Sequence, residues 1–256
     1  MPFLQEKFPT FRQFAEATLA DIYTPAALTT AGKLECTELR SVILINDGHG
    51  AFRIVALPRL QQVAPAFGVV VADFDADGAQ DIFTSHNFYG PQPETGRMSG
   101  GLSMLLRGVG DGSFEPVWPD DSGLIIHEDA RAVTLCDLND DDRPDLVIAC
   151  NDDRGRVFHN QGSGNNHSLR VRLKGRSGNL RGIGARVRVN ASWQAPQTVE
   201  VLAGSGYLSQ STSDLFFGLG AQLGDVQIEV RWPNGELSSV AAQSDQGLVI
   251  ISRPPI

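Results

Sequence analysis

Two short acidic stretches hold the residues best suited to chemistry. DFDADGAQD places carboxylates at Asp73, Asp75, Asp77 and Asp81, which are positions 1, 3, 5 and 9 of one loop, with Gly78 at position 6. Like charges this close repel, so a fold that gathers them gains from a cation between them. A hard divalent ion of calcium size takes six to eight oxygens at about 2.3–2.6 Å. A loop curled around such an ion supplies alternate side chains and one backbone carbonyl, here that of Ala79 at position 7. Gly78 permits the sharp turn.

A second stretch, DLNDDDRPD, fits the same template. Asp137, Asn139, Asp141 and Asp145 take positions 1, 3, 5 and 9, and Arg143 offers the carbonyl at position 7. Position 6 is Asp142, which adopts a left-handed backbone more readily than most residues but less readily than glycine. With three ligand carboxylates against four, the second loop is expected to bind calcium more weakly. Neither loop is an EF-hand, because position 12 is Thr84 in one and Ile148 in the other, where a bidentate Glu is required. The competing reading is two Asp-rich turns held by side-chain hydrogen bonds to the backbone.

The elements around these loops are mostly strands. DIFTS and DLVIA follow them directly. SVILINDGHGAFRIVALP reads as a hairpin about a glycine turn. NDGHGAF (46–52) recurs as GVGDGSF (108–114), and DFDADGAQDIF (73–83) recurs as DLNDDDRPDLV (137–147), so the two acidic loops belong to an internal repeat. The insert HNFYGPQPETGRMSGG (86–101) lengthens the first unit, and its Phe88, Tyr89 and Met98 read as pinning it over the blade edge, with contact to a ligand as the alternative. RVFHNQGSG closes the second unit.

Before the repeat, Thr10 to Gln13 reads as a capping box and Thr24-Pro25 as a helix start, giving an N-terminal helical segment over residues 1–38. The repeat region spans 39–165. After the Gly/Asn run GSGNNH, strict alternation in SLRVRLK, ARVRV and VQIEVRW predicts half-buried antiparallel strands in a sandwich or barrel over 166–256. PNGE is a turn between two of them. Arg170, Arg172, Lys174, Arg176, Arg181, Arg186 and Arg188 make the start of this domain basic. They read as a solvated strand face, with the acidic loops of the same chain as an alternative partner.

Composition narrows the function. The 256 residues carry a formal net charge of -9, which disfavours nucleic acid and anionic membrane surfaces as partners. No apolar run is long enough to span a membrane, and MPFLQEKFPTF lacks the pattern of a secretory signal. Three cysteines, Cys36, Cys136 and Cys150, with no CxxC spacing, indicate neither a disulfide framework nor a thiolate zinc site. The five histidines show no metal-binding spacing. GNLRGIGARV lacks dinucleotide-loop spacing and reads as a tight turn, as does LAGSGYLSQS around Ser205.

The acidic loops with their glycine hairpins resemble FG-GAP/VCBS repeats, the blades of integrin-like β-propellers. GNLRGIGARVRV (178–189), EVLAGSGYLSQST (200–212), LFFGLG (215–220) and VRWPNG (230–235) resemble the ASPIC/UnbV domain of the cartilage acidic protein family. The resemblance implies a mostly β chain, a partial propeller of about two blades followed by a separate antiparallel β domain. It also implies calcium at the two loops, an extracellular or cell-surface location and no settled catalytic activity. So few blades leave open strand edges, so the chain is expected to be a fragment, a truncated product or a piece completed by the remaining blades of a longer parent.

The function expected is a non-enzymatic, calcium-binding adhesion or interaction module for a protein or carbohydrate ligand. The alternatives are a scaffold for an enzyme or biosynthetic accessory protein, and a gene fragment without independent activity.

Overall fold

The structure, a computed structural model, describes residues 2–254. Strand accounts for 37% and helix for 12%, so the fold is mostly β. The chain divides into two compact units, residues 1–39 and 40–256.

The first unit holds four short helices, α1 (Pro2–Lys7), α2 (Phe11–Glu16), α3 (Leu19–Ile22) and α4 (Pro25–Thr30). Helices this short depend on their caps, because most of their backbone N–H groups have no partner within the helix. Thr10 and Gln13 form the expected capping box at α2, and Thr18 and Asp21 form another at α3. Thr24 caps α4, with Pro25 at its start.

The second unit opens with the hairpin β1 (Val42–Asn46) and β2 (Phe52–Ala56). A four-stranded antiparallel meander follows: β3 (Ala66–Ala72), β4 (Asp81–His86), β5 (Met104–Gly108) and β6 (Phe114–Val117). The short helix α5 (Pro119–Ser122) leads to a three-stranded meander of β7 (Ala130–Cys136), β8 (Asp145–Cys150) and β9 (Arg156–Phe158). Val70, Phe83, Val133, Leu135, Leu146 and Ile148 from the two meanders share one buried cluster. Each acidic loop joins the first two strands of its meander, so the repeat read in the sequence is a repeat of structure.

The register extends the repeat to the hairpin. Asn46 pairs with Phe52 and Leu44 with Ile54, as Gly108 pairs with Phe114 and Leu106 with Pro116. Leu106 is fully buried between β4 and β6, whereas Leu44, with a strand on one side only, is 56% exposed.

The remaining strands build two facing sheets. One holds β10 (Ser168–Lys174) between β13 (Leu215–Gly218) and β16 (Leu248–Ser252). The other is β12 (Gln197–Glu200), β11 (Arg186–Ala191), β14 (Asp225–Arg231) and β15 (Leu237–Gln243), in that order. Alternation is clean in β14, where Val226, Ile228 and Val230 are buried and their neighbours exposed. These side chains meet Leu169, Val171, Phe217, Val249 and Ile251 of the opposite sheet in one core. Each such side chain contributes about 1.5–3 kcal/mol by leaving water. Trp232 closes one end, its indole N–H donating to Ser238 Oγ at 2.8 Å.

One alternative falls and one expectation is corrected here. Among the described residues no sheet closes into a barrel, which leaves the sandwich. The domain is also not wholly antiparallel, because β10 pairs with β16 in parallel, Arg170 opposite Leu248. Local alternation fixes which face of a strand is buried, but not the direction of its distant neighbour.

The insert 86–101 is pinned as expected. The buried Asn87 donates to the carbonyls of Gly101, His127 and Glu128, and the Phe88 ring packs on Phe67 with centroids 5.8 Å apart. Cys36, Cys136 and Cys150 are free thiols.

Candidate metal centre

The two acidic loops follow one backbone path. Position 4 has a positive φ in both, 57° at Ala76 and 58° at Asp140. Position 6 does too, 98° at Gly78 and 65° at Asp142, so Asp142 takes up the left-handed turn that glycine makes in the first loop.

The first-position carboxylate organises each turn. Asp73 accepts the N–H groups of Asp77 at 3.1 Å and Gly78 at 2.7 Å. Asp137 accepts those of Asp141 at 3.2 Å and Asp142 at 2.9 Å. The ninth position ties the loop to its sheet. Asp81 accepts from Phe74 N and Gly108 N, both at 2.8 Å, and Asp145 accepts from Leu138 N at 2.9 Å and Asn160 N at 2.8 Å. Asp81 and Asp145 are buried, which is tolerable only with such partners.

In the first loop the carboxylates converge. Asp73, Asp75 and Asp81 each present an oxygen, and these atoms lie within 4.8 Å of one another. Oxygens opposite each other across a calcium ion are separated by about twice its 2.3–2.6 Å bond length, so this spacing fits a shared ion of that size. Each oxygen of Asp73 and Asp81 receives one backbone N–H, leaving a further lone pair free.

The electrostatics agree. Asp73 and Asp81 are each only 2% exposed. Burial, opposed by the Gly78 N–H and reinforced by repulsion from Asp81, Asp77 and Asp75, pushes the Asp73 carboxyl up to about 8. Burial raises Asp81 to about 6. Asp75 is shifted upward too, by burial and then by repulsion from Asp77. The nearby Arg107 guanidinium is engaged with Glu115 at 2.7 Å. The residues of this loop therefore fit a divalent cation, having converging oxygens whose ionised form burial and mutual repulsion disfavour until a counter-charge is supplied.

Asp77 stands apart. It is exposed, and its carboxylate accepts the Ala79 N–H at 2.7 Å. Ala79 is placed by that bond at the turn.

The second loop differs. Arg170 of β10 is 4% exposed and points its guanidinium into the loop. Its Nη1 is 2.6 Å from Asp137 Oδ2 and its Nε is 2.8 Å from Asp142 Oδ1. Nη2 reaches Asp140 at 3.5 Å, and Asp214 lies 3.9 Å from Nη1. Asn139 Nδ2 donates to Asp141 Oδ2 at 3.1 Å, and the Arg143 side chain pairs with the same carboxylate at 3.4 Å. Among the described residues, Asp73, Asp75 and Asp81 form such a convergent group, while Asp137, Asp141 and Asp145 do not.

The two loops meet adjacent strands of the same sheet. The first lies against Gly218 of β13, where a Cβ would fall 1.9 Å from Asp73 Oδ2 and 2.6 Å from Ala76 backbone atoms. Gly220 N donates to Ala76 O at 2.8 Å, and Asn166 Nδ2 to Asp75 O at 2.9 Å. The second loop meets β10, with Ser168 Oγ donating to Asp142 O at 2.9 Å. Ser168 and Gly218 are register partners. One loop thus faces a residue with no side chain, and the other faces an arginine.

The spacing of the aspartates located both loops, and the alternative that the basic run meets the acidic loops of the same chain is the one Arg170 follows, whereas Gly218 was not legible as a site residue. The basic run at the start of the domain held the signal for Arg170, but its place in SLRVRLK reads as a solvated position. Ser205 lies just before a turn at residues 207–208, accepting from Ser211 N at 3.1 Å. The segment after it lies along β7, with Ser209 Oγ donating to Val133 O at 2.7 Å and Thr212 N to Leu135 O at 2.9 Å.

Human cartilage acidic protein 1 is 27% identical over 199 residues, covering 76% of this chain and 29% of that protein. The mouse protein is 28% identical over 208 residues, covering 78% and 31%, and the Xenopus tropicalis protein 26% over 216 residues, covering 82% and 32%. The chain thus spans about a third or less of the length of these curated relatives. Residues 175–253, most of the two-sheet C-terminal region, match the ASPIC and UnbV family, in a chain similar to cartilage acidic protein 1.

Proposed function

We propose that this chain is a non-enzymatic interaction module whose first acidic loop holds calcium. The observation that carries the reading is the convergence of Asp73, Asp75 and Asp81, two of them buried, with no cationic side chain from the described residues among them. The template's other two positions, Asp77 and the Ala79 carbonyl, lie outside that convergent group and would join the ligand set by the exposed Asp77 carboxylate turning inward. When bound, the ion supplies charge neutralisation and rigidity. The chain's own residues do the rest, Asp73 fixing the turn through Asp77 N and Gly78 N, and Asp81 tying it to β5 through Gly108 N.

The meanders are read as blades of a propeller, supported by the shared path of the two loops and the shared register of β1–β2 and β5–β6. On this reading the hairpin is half a blade, and the exposed Leu44 marks the edge where further strands would add. The rigid surface would then present an adhesion site for a protein or carbohydrate. An extracellular or cell-surface setting, where calcium is plentiful, belongs to the same proposal and draws on the likeness to the cartilage acidic proteins. Among the described residues no helix is long and apolar enough to cross a membrane.

The test is thermal unfolding in excess EDTA and in a calcium titration, with Asp73→Ala alongside. A midpoint that rises with calcium in the wild type and not in the variant supports the reading. A wild-type midpoint indifferent to calcium rejects it.

A further inference from the structure

The second loop repeats the aspartate spacing and backbone path of the first, which would make it a second cation site. Its charge is already met from within. The Arg170 guanidinium lies within 4.0 Å of carboxylates from Asp137, Asp140, Asp142 and Asp214. Two of those contacts are at 2.6 Å and 2.8 Å, and the side chain is 5% exposed. A guanidinium always carries its charge at physiological pH, and its fork of donors suits several oxygens at once. The Asp137 carboxylate, the first ligand of the template, is committed to Asp141 N, Asp142 N and Arg170 Nη1. A divalent ion placed among these oxygens would sit beside a fixed positive charge in a poorly solvated space, which is strongly unfavourable.

We infer that Arg170 is a built-in substitute for the cation in the second loop, so that this loop binds no calcium and holds the C-terminal domain to the second meander permanently. The surroundings favour this arrangement. Arg172, two residues along β10, pairs with Asp214 at 2.6 Å, so Asp214 has its own counter-charge. Arg143 pairs with Asp141. Arg170 N donates to Gly247 O at 3.1 Å, fixing the strand from which the guanidinium projects. At the first loop the neighbouring strand presents Gly218, which brings no such charge. The repeat thus carries two solutions to one electrostatic problem, one open to a metal and one closed by an arginine. Removing the guanidinium should leave an acidic loop with the first loop's template and no cation, which is a latent calcium site.

The test counts calcium ions bound to the full chain by equilibrium dialysis and titration calorimetry, for the wild type and for Asp137→Asn, Asp73→Asn, Arg170→Met and Arg170→Lys. The expected counts are one for the wild type, one for Asp137→Asn, none for Asp73→Asn, two for Arg170→Met and one for Arg170→Lys. A wild-type count that drops in Asp137→Asn overturns the inference, and this arm decides the matter if Arg170→Met fails to fold. A folded Arg170→Met that binds no more calcium than the wild type also overturns it. A wild-type count of zero with a gain of one in Arg170→Met supports the inference while rejecting calcium at the first loop, so the two readings fail separately.

Discussion

Arg170 Nη1 and Asp137 Oδ2 lie 2.6 Å apart, with both side chains at most 5% exposed. The matching carboxylate of the other loop, Asp73, is as buried and faces Gly218. The contrast turns two similar stretches of sequence into chemically different sites, and it makes their responses to mutation diverge.

Asp75→Asn should abolish the calcium-dependent part of the stability and leave the rest. The Asp75 carboxylate accepts the Asp77 N–H at 3.2 Å, a bond the amide oxygen retains. A ligand at a hundredfold excess over its Kd adds about 2.7 kcal/mol, or roughly 5–10 °C in midpoint for a chain of this size. Calorimetric scans should show that gain in the wild type, no gain in the variant, and similar midpoints for both in EDTA.

Arg170→Met should be far more damaging in EDTA than Arg172→Met. Removing one partner of a buried ion pair costs about 3–5 kcal/mol, because the other charges stay buried and unpaired. Arg172 is 42% exposed and pairs with Asp214 alone, so its loss should cost less. Urea unfolding of both variants measures the difference, and calcium should recover part of the Arg170→Met deficit. Equal losses would mean that Arg170 has no special role.

Gly218→Ala should cripple the first loop through sterics alone. The added Cβ would fall 1.9 Å from Asp73 Oδ2 and 2.6 Å from Ala76 backbone atoms, so the loop must move. Overpacking of this kind costs about 1–3 kcal/mol. The expected outcome is a folded but weakened chain with no calcium-dependent shift in midpoint.

His86 makes the fold sensitive to acid. It is fully buried, Nε2 lies 2.8 Å from Gln61 Oε1 and 3.0 Å from Thr84 Oγ1, and burial depresses its pKa to about 4. The unfolded chain therefore takes up the proton first, and stability is lost as pH falls from about 6.5 through 4. The loss amounts to something on the order of 3 kcal/mol by pH 4. The buried Asp73 and Asp81 carboxyls, raised in the fold, act in the opposite direction over this range, so the readout is the difference in urea midpoint between His86→Gln and the wild type, which should shift in favour of the variant as pH falls from 7 to 4.

Much of the architecture was legible in the sequence because local patterns carry it. Alternation marked β10, β11 and β14, the glycine turn marked the β1–β2 hairpin, and Thr10 with Gln13 marked the start of α2. The aspartate spacing marked both loops because ligand geometry is itself local. What escaped depends on contacts between distant segments. SLRVRLK alternates as if Arg170 faced water, and only the docking of β10 onto the second loop reverses that. Gly218 lies in LFFGLG with nothing nearby to show that a carboxylate presses against it. The parallel pairing of β10 with β16 joins segments far apart in sequence, where no periodic pattern reports direction.

The most direct measurement is a crystal structure of the full chain grown in calcium, with anomalous data collected at long wavelength. The account expects an anomalous peak at the first loop, at bonding distance from Asp73, Asp75 and Asp81, and Arg170 still seated against Asp137 with no peak beside it. An empty first loop at saturating calcium would contradict the proposed function. A peak at the second loop, with Arg170 displaced, would contradict its closure by the guanidinium.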